Sequence, residues 1–380
     1  MIKMTEHYLD NSATTKVCPE AAQAALDAMT EIYGNPSSTH TKGREAKKLL
    51  DTARKQVASA LGCLPEELVF TSCGSESDNW AIINGAESMS RKGRHIISSV
   101  VEHDAVRKSL DELERRGFTV TRLTPDSTGA IGVQQVIDAL QDDTILVSLM
   151  MVNNETGAVT DISAISKAIK RINPQILLHT DAVQAFMKVP FSAKTLGADM
   201  ISVSGHKIHA PKGIGALYIK SGVKLRPYIL GGGQEAGRRA GTEAMPQIAA
   251  FGAACEVAKA HMSENIERME RLRSLAVKTL SEQIPEIRFI GGGAPHILSV
   301  SLPGWRSEVL MNYMEAQGIY VSKSSACKKG GRSHVLEAMG LEPRVIDGAI
   351  RIGLSRMTTE EDILALCASL KEARGRLSHR

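Results

Sequence analysis

Through roughly its first 220 residues the chain alternates between segments with apolar residues at helical spacing and short, nearly continuous apolar runs. That alternation restricts the fold to an α/β protein with a mainly parallel sheet. Helical spacing runs from Pro19 to Ile32, with Ala22, Ala25, Leu26 and Met29 on one side and proline at a favoured helix start. It returns from about Arg44 to Leu61, over SESDNWAIINGA, and from Ala105 to Arg116. Between these lie LVFT (68–71), HIISSVV (95–101), a run near 118–123, ILVSLMMV (145–152), QILLHT (175–180), DMISVSG (199–205) and GALYIKS (215–221). Runs this apolar suit central strands covered on both faces. Beyond about residue 250 the pattern becomes one long helical stretch, Ala249 to about Gln283, followed by strand candidates HILSVSL, GIYVS and AIRIGLS. A chain of 380 residues exceeds the size at which one core stops growing. The expected division is a large unit, 16–250, and a smaller α/β unit made of 251–380 together with the N-terminal residues 1–15.

Composition removes several classes. With 43% hydrophobic and 23% charged residues and no Pro-, Ser- or Gln-rich tract, disorder is not expected. The longest apolar run, Ile145 to Val152, is interrupted by Ser148 and falls far short of the roughly 20 residues that span a bilayer. The start, MIKMTEHYLD, lacks the apolar centre of a secretion signal, so a cytoplasmic location without membrane attachment is expected. Cysteines 18, 63, 73, 255, 327 and 367 form no CxxC pair and read as reduced thiols, not as a disulfide framework or zinc site. A net charge of +4, short basic runs (KKLLDTARK, GRRAG, CKKGGRSH) and 4% aromatics give no surface for nucleic acid.

Ligands of parallel sheets bind at the carboxyl ends of the strands, and polar residues gather there. LVFT leads into Cys73-Gly74-Ser75-Glu76, a small-residue turn opening a helix, whose free N–H groups suit a phosphate. HIISSVV leads to Glu102-His103, QILLHT to Asp181 and Gln184, and DMISV to Ser204, His206 and Lys207. Each alone has an ordinary reading: a helix cap for Ser75 or Asp181, loop histidines, a solvated lysine. Together they match a lysine that forms a Schiff base with an aldehyde cofactor, which needs a carboxylate across the ring to keep the pyridine nitrogen protonated. Lys207 and Asp181 take those parts, Ser75, Ser204 and His206 suit the phosphate, and His103 suits a ring face. Lys212 follows Pro211 in a turn leading away into GALYIKS, which leaves Lys207 as the choice.

The motifs YLDNSATT, FTSCGSESDN, EHDAV, VNNETGAV, HTDAVQ, SGHKIHAPKGIGALY, GGGQEAGRRAGT, SSAC and AIRIGLSR occur in order from about Tyr8 to Thr359. In these the chain resembles the cysteine desulfurases, in the class V aminotransferase branch of the fold-type I pyridoxal-phosphate enzymes. The resemblance implies a PLP-dependent transferase fold of type I, with a mainly parallel central sheet in a large domain and a smaller α/β C-terminal domain. It implies pyridoxal 5'-phosphate held by Lys207, with Asp181 on the pyridine nitrogen, Gln184 and as a second candidate Asn154 on the phenolic oxygen, and His103 stacked on the ring and moving protons. Gly74, Ser75, Ser204 and His206 would hold the phosphate, and Thr242 would reach in from the other subunit of a homodimer. Arg351 would pair with the substrate carboxylate, Asn11 is a further candidate near the substrate, and Cys327 would be the nucleophile that accepts sulfur. The implied reaction converts L-cysteine to L-alanine and leaves a persulfide on the enzyme. A sulfur-acceptor protein, either a scaffold for iron–sulfur cluster assembly or a tRNA or cofactor thiolation enzyme, would then take that sulfur. The alternatives are a related selenocysteine or C–S lyase, or an aminotransferase of the same class. An adaptor without catalysis would have no use for Lys207, Asp181, His103 and Arg351 together. Before the nucleophile, Ser322-Lys323-Ser324-Ser325-Ala326-Cys327 carries a lysine and lacks the glycine of the common SSGSAC, and the stretch on to Ser333 is short for the family. Lys323, Lys328 and Lys329 would favour the Cys327 thiolate, and Cys73 reads as a passive small residue.

Overall fold

The computed structural model describes residues 5–323 and 331–377. A short strand β1 (His7–Tyr8) is followed by β2 (Leu68–Thr71), β3 (His95–Ser99), β4 (Thr119–Leu123), β5 (Thr144–Ser148), β6 (Leu177–Asp181), β7 (Met200–Ser204) and β8 (Gly215–Ile219). The last seven form one sheet in the order β2-β8-β7-β6-β5-β3-β4. Only β8 runs against its neighbours β2 and β7; the other pairings are parallel. All strands of this sheet except the edge strand β4 are buried at every residue. That burial explains their near-continuous apolar runs: successive residues point to opposite faces, and both faces are covered. Phe70, Ile97 and Val147 enter one core, while Val69, Ile96 and Leu146 enter the other. Two buried histidines pin the sheet internally. His95 bonds Thr144 and Thr121, and His179 bonds Ser148 and Ser202 across β5, β6 and β7.

Helices cover both faces. Thr41–Leu61 buries Ala46, Leu50, Ala53, Val57 and Leu61, a stripe at three- and four-residue spacing, and ends on Gly62 at φ 71°. Its start lies three residues before the expected Arg44, because the His40 side chain accepts from the Gly43 N–H and caps the first turn. The helix beginning Gly74–Asn79 continues through a π-helical stretch, Trp80–Asn84, into Gly85–Met89, which the sequence pattern did not disclose.

A second packing unit is built on β12 (Ser322–Lys323), β13 (Ala349–Gly353), β10 (Ile297–Ser301) and β9 (Arg288–Ile290), ordered as named and antiparallel throughout. The expected strand GIYVS divides: β11 (Ile319–Tyr320) pairs with β1, and Ser322–Lys323 turns into the four-stranded sheet. The expected single helix from Ala249 is two, Met245–Ala260 and Met262–Gln283, broken at His261. The first packs Ile248, Phe251 and Ala254 into the large sheet's core; the second gives Met269, Leu272, Ala276 and Leu280 to the other core. Apolar spacing continues across the break, so the pattern alone does not show that the two halves serve different cores. Among the described residues no helix is long and apolar enough to cross a membrane, and no group of three or more His, Cys, Asp or Glu could hold a metal.

Candidate active site

The carboxyl ends of β2, β3, β5, β6 and β7 open onto a cavity of about 350 Å³, closed on its far side by the N-terminal segment at Ser12–Ala13 and by Arg351 of the small sheet. Of the residues singled out from sequence, Gly74, Ser75, His103, Asn154, Asp181, Gln184, Ser204, His206, Lys207 and Arg351 all line it. Asn11 does not: it is buried, and its amide donates to Tyr8 O at 3.0 Å and Gly353 O at 2.9 Å, tying the N-terminal segment to β13. Thr242 is exposed and lies outside this chain's cavity. Cys327 lies outside the described residues, as do Lys328 and Lys329.

Lys207 ends a one-turn helix, Gly205–Lys207, directly after β7. Gly205 is required there, because a Cβ would sit 2.7 Å from Ile214 Cγ2. The turn brings Lys207 Nζ to 2.7 Å from both Ser12 O and Ala13 O. Gln184 Nε2 also donates to Ser12 O, at 2.8 Å, and His296 Nε2 lies 3.4 Å from Gln184 Oε1. The motif YLDNSATT thus supplies backbone acceptors to the site, a role its side chains do not advertise.

One end of the cavity is built for a cation. Asp181, at the tip of β6, accepts from the Val183 N–H at 2.9 Å. Burial raises its carboxyl above the usual range, while His103 and Lys207 pull it back. Beside it Asp78 is held well above its ordinary value by burial and by the Asp181 charge. Its Oδ1 lies 3.6 Å from His179 Nε2, but burial drives that imidazole down to about 3, so the histidine is neutral and the carboxyl has no cation there. Glu102 Oε1 accepts from Ser99 Oγ at 2.5 Å and Met150 N at 3.1 Å, and burial pushes this carboxyl up to about 8. Asp78 Oδ1 and Glu102 Oε2 meet no hydrogen-bond partner among the described residues.

The other end suits an anion. Gly74 opens the helix after β2, Ser204 Oγ is buried and meets no partner among the described residues, and Ser75 is exposed to the cavity. His206 Nδ1 sits 3.2 Å from Thr14 Oγ1, and burial with the neighbouring Lys207 drives its pKa down to about 4. Its ring is therefore a neutral hydrogen-bonding group at neutral pH. His103 Nδ1 accepts from the Ala105 N–H at 3.1 Å, capping the helix Asp104–Arg115 and fixing the ring at the cavity wall.

Arg351 is 2% exposed. It donates to Asn154 O at 2.8 Å, Asp10 Oδ1 at 3.1 Å and Ser322 Oγ at 2.8 Å, and its Nε meets no partner among the described residues. Glu155, one residue on from Asn154, accepts from Ser333 Oγ, and burial raises its carboxyl to about 7. Sequence reasoning gave no role to Asp78, Glu102 or Glu155. Asp78 lies four positions beyond Gly74 and Glu102 immediately before His103, and that proximity was the available signal.

A family model described as aminotransferase class-V matches residues 7–366. A cysteine desulfurase of Nostoc sp. is 44% identical over 365 residues, taking in 95% of this chain and 90% of that one. The chain belongs to the cysteine desulfurases of the class-V aminotransferase family. Among solved structures, a NifS-like protein is similar with a TM-score of 0.93 at 38% identity, covering 98% of this chain and 100% of that one. SspA, solved in complex with cysteine, is similar with a TM-score of 0.80 at 32% identity, covering 93% of this chain and 100% of that one.

Desulfurases of this family depend on pyridoxal 5'-phosphate, and the cavity fits that molecule at both ends. Asp181, whose carboxyl His103 and Lys207 draw back toward ionisation, lies where a pyridinium nitrogen needs an anion, and Ser204 Oγ, without a partner among the described residues, lies with Gly74 and His206 where a phosphate needs donors. Lys207 stands in the same cavity.

Proposed function

We infer that the chain is an L-cysteine desulfurase, which uses pyridoxal 5'-phosphate to convert L-cysteine to L-alanine and leaves a persulfide on the enzyme. The observation that carries this reading is the meeting of Lys207, Asp181 and Arg351 in one cavity, in a chain 44% identical to a cysteine desulfurase over nearly its whole length. When bound, the cofactor supplies an aldehyde carbon and an electron-withdrawing ring. Lys207 would hold it covalently, Asp181 would keep its ring nitrogen protonated, and Gly74, Ser75, Ser204 and His206 would hold its phosphate. Gln184 and Asn154 would face its phenolic oxygen, and His103 would cover the ring.

Arg351 would orient the cysteine carboxylate; its planar fork, braced by Asn154 O, Asp10 and Ser322, enters the site in a fixed direction. The Lys207 amine would remove the substrate's α-proton and return a proton to the product. Cys327, as a thiolate, would take the substrate sulfur: a new S–S bond forms, the substrate C–S bond breaks, and alanine leaves. In this reading residues 16–250 bind the cofactor, and 251–380 with 1–15 carry Cys327. Exposed Thr242 would act in the neighbouring site of a homodimer, and Asn11 would act through the backbone it ties. The persulfide would pass to an acceptor protein for iron–sulfur cluster assembly or thiolation in the cytoplasm.

Incubation with L-cysteine followed by peptide mass spectrometry tests the reading. One added sulfur on the peptide containing Cys327, with alanine formed and lost together in Cys327→Ala, is the expected result. Alanine release that survives Cys327→Ala would instead indicate a C–S lyase that needs no thiol, and conversion of L-cysteine to its keto acid with the sulfur retained would indicate an aminotransferase.

A further inference from the structure

Behind Lys207, on the side away from the substrate cavity, lies a second lysine. Lys188 is 5% exposed, and its Nζ meets no hydrogen-bond acceptor among the described residues. It lines a cavity of about 30 Å³, room for a single water, together with Lys207, His209 and Arg356. Two of the four described non-glycine residues with positive φ line the same cavity, Met187 at φ 59° and His209 at φ 68°. Such backbone is strained and persists where the surrounding structure requires it. Here it places Lys188 directly after one strained residue and opposite the other.

An unpaired buried amine is an expensive feature, and a well-packed methionine would ordinarily serve the core better. Among the described residues, the charged and titratable groups that act on Lys188 or line its cavity are bases: Lys207, His206 and His209 beyond β7, His296 just before β10, Arg351 of β13, and Arg356. Burial, then Lys207 and Arg351, lower the Lys188 amine to about 7. Charge repulsion between two amines is mutual, so a proton on either disfavours a proton on the other.

We propose that Lys188 is a positioning residue for Lys207, setting the local field so that the Lys207 nitrogen gives up its proton readily and is a base when the substrate arrives. This rests on the reading that Lys207 holds the cofactor. A proton on Lys188 lowers the proton affinity of Lys207, so removing the Lys188 amine raises it.

The test is a spectroscopic pH titration of the holoenzyme, following the absorbance change as the nitrogen joining Lys207 to pyridoxal phosphate loses its proton. Lys188→Met is expected to move the midpoint up by about one pH unit, a tenfold shift in the protonated fraction at fixed pH. Lys188→Arg, which keeps a charge at all pH, is expected to leave the midpoint at or below that of the unmodified enzyme. A wild-type midpoint in Lys188→Met, or equal shifts in both variants, would overturn the proposal, since packing alone would act on both. Should the methionine variant fold poorly, Lys188→Gln carries the same expectation. Lys207→Ala separates the two readings: a titrating cofactor band that survives it contradicts the assignment of Lys207 itself.

Discussion

Replacing Glu102 with glutamine separates the charge of the buried carboxyl cluster from its shape. The glutamine carbonyl can accept from Ser99 Oγ and Met150 N as Glu102 Oε1 does, and its amide group takes the place of the unpartnered Oε2. What changes is the ability to ionise. Burial raises the folded-state pKa from 4.5 to about 8, so between those values the folded protein keeps a proton that the unfolded chain gives up. Stability contributed by this group is complete below pH 4.5 and is lost as pH rises to about 8. The loss is about 1.4 kcal/mol per pH unit, or on the order of 5 kcal/mol across the window of 8 − 4.5 = 3.5 units. Glutamine has no proton to lose. Cofactor-free Glu102→Gln is therefore expected to gain on the unmodified protein as pH rises, by several kcal/mol between mildly acid and alkaline buffer. Urea unfolding of both proteins at a series of pH values measures the difference, with other titrating groups common to both. Curves that stay parallel throughout would mean that Glu102 ionises in place and that burial does not hold its proton as described above.

Ser333→Ala removes both the hydroxyl that Glu155 accepts and the cap on the Leu336 N–H at 3.1 Å, and should lower unfolding stability by about 2–4 kcal/mol, seen as a drop in urea midpoint. Arg351→Lys keeps the charge but loses the fork that bonds Asn154 O, Asp10 and Ser322, so KM for L-cysteine should rise about tenfold or more in an alanine-release assay. An unchanged KM would remove Arg351 from substrate binding.

The sheet was readable because its strands are buried on both faces and leave uninterrupted apolar runs. That Asp181 and Lys207 share one cavity was readable because strand ends are where an α/β fold presents chemistry. The His261 break was not, since both helices keep apolar spacing while turning toward different cores. Lys188 was equally opaque: in AFMKVP it reads as an ordinary lysine, and its burial depends on His209, Ser355 and Met269, distant in sequence, closing around it. The Ser12 and Ala13 carbonyls that receive Lys207 belong to the backbone, whose hydrogen-bond partners no side-chain pattern records.

The central claim, that Lys207 is the amine carrying the cofactor, is tested most directly by reducing the holoenzyme with borohydride and mapping the fixed pyridoxyl group by peptide mass spectrometry. The adduct should lie on Lys207. An adduct on Lys212 or Lys188, or a protein that binds the cofactor yet yields none, would contradict it.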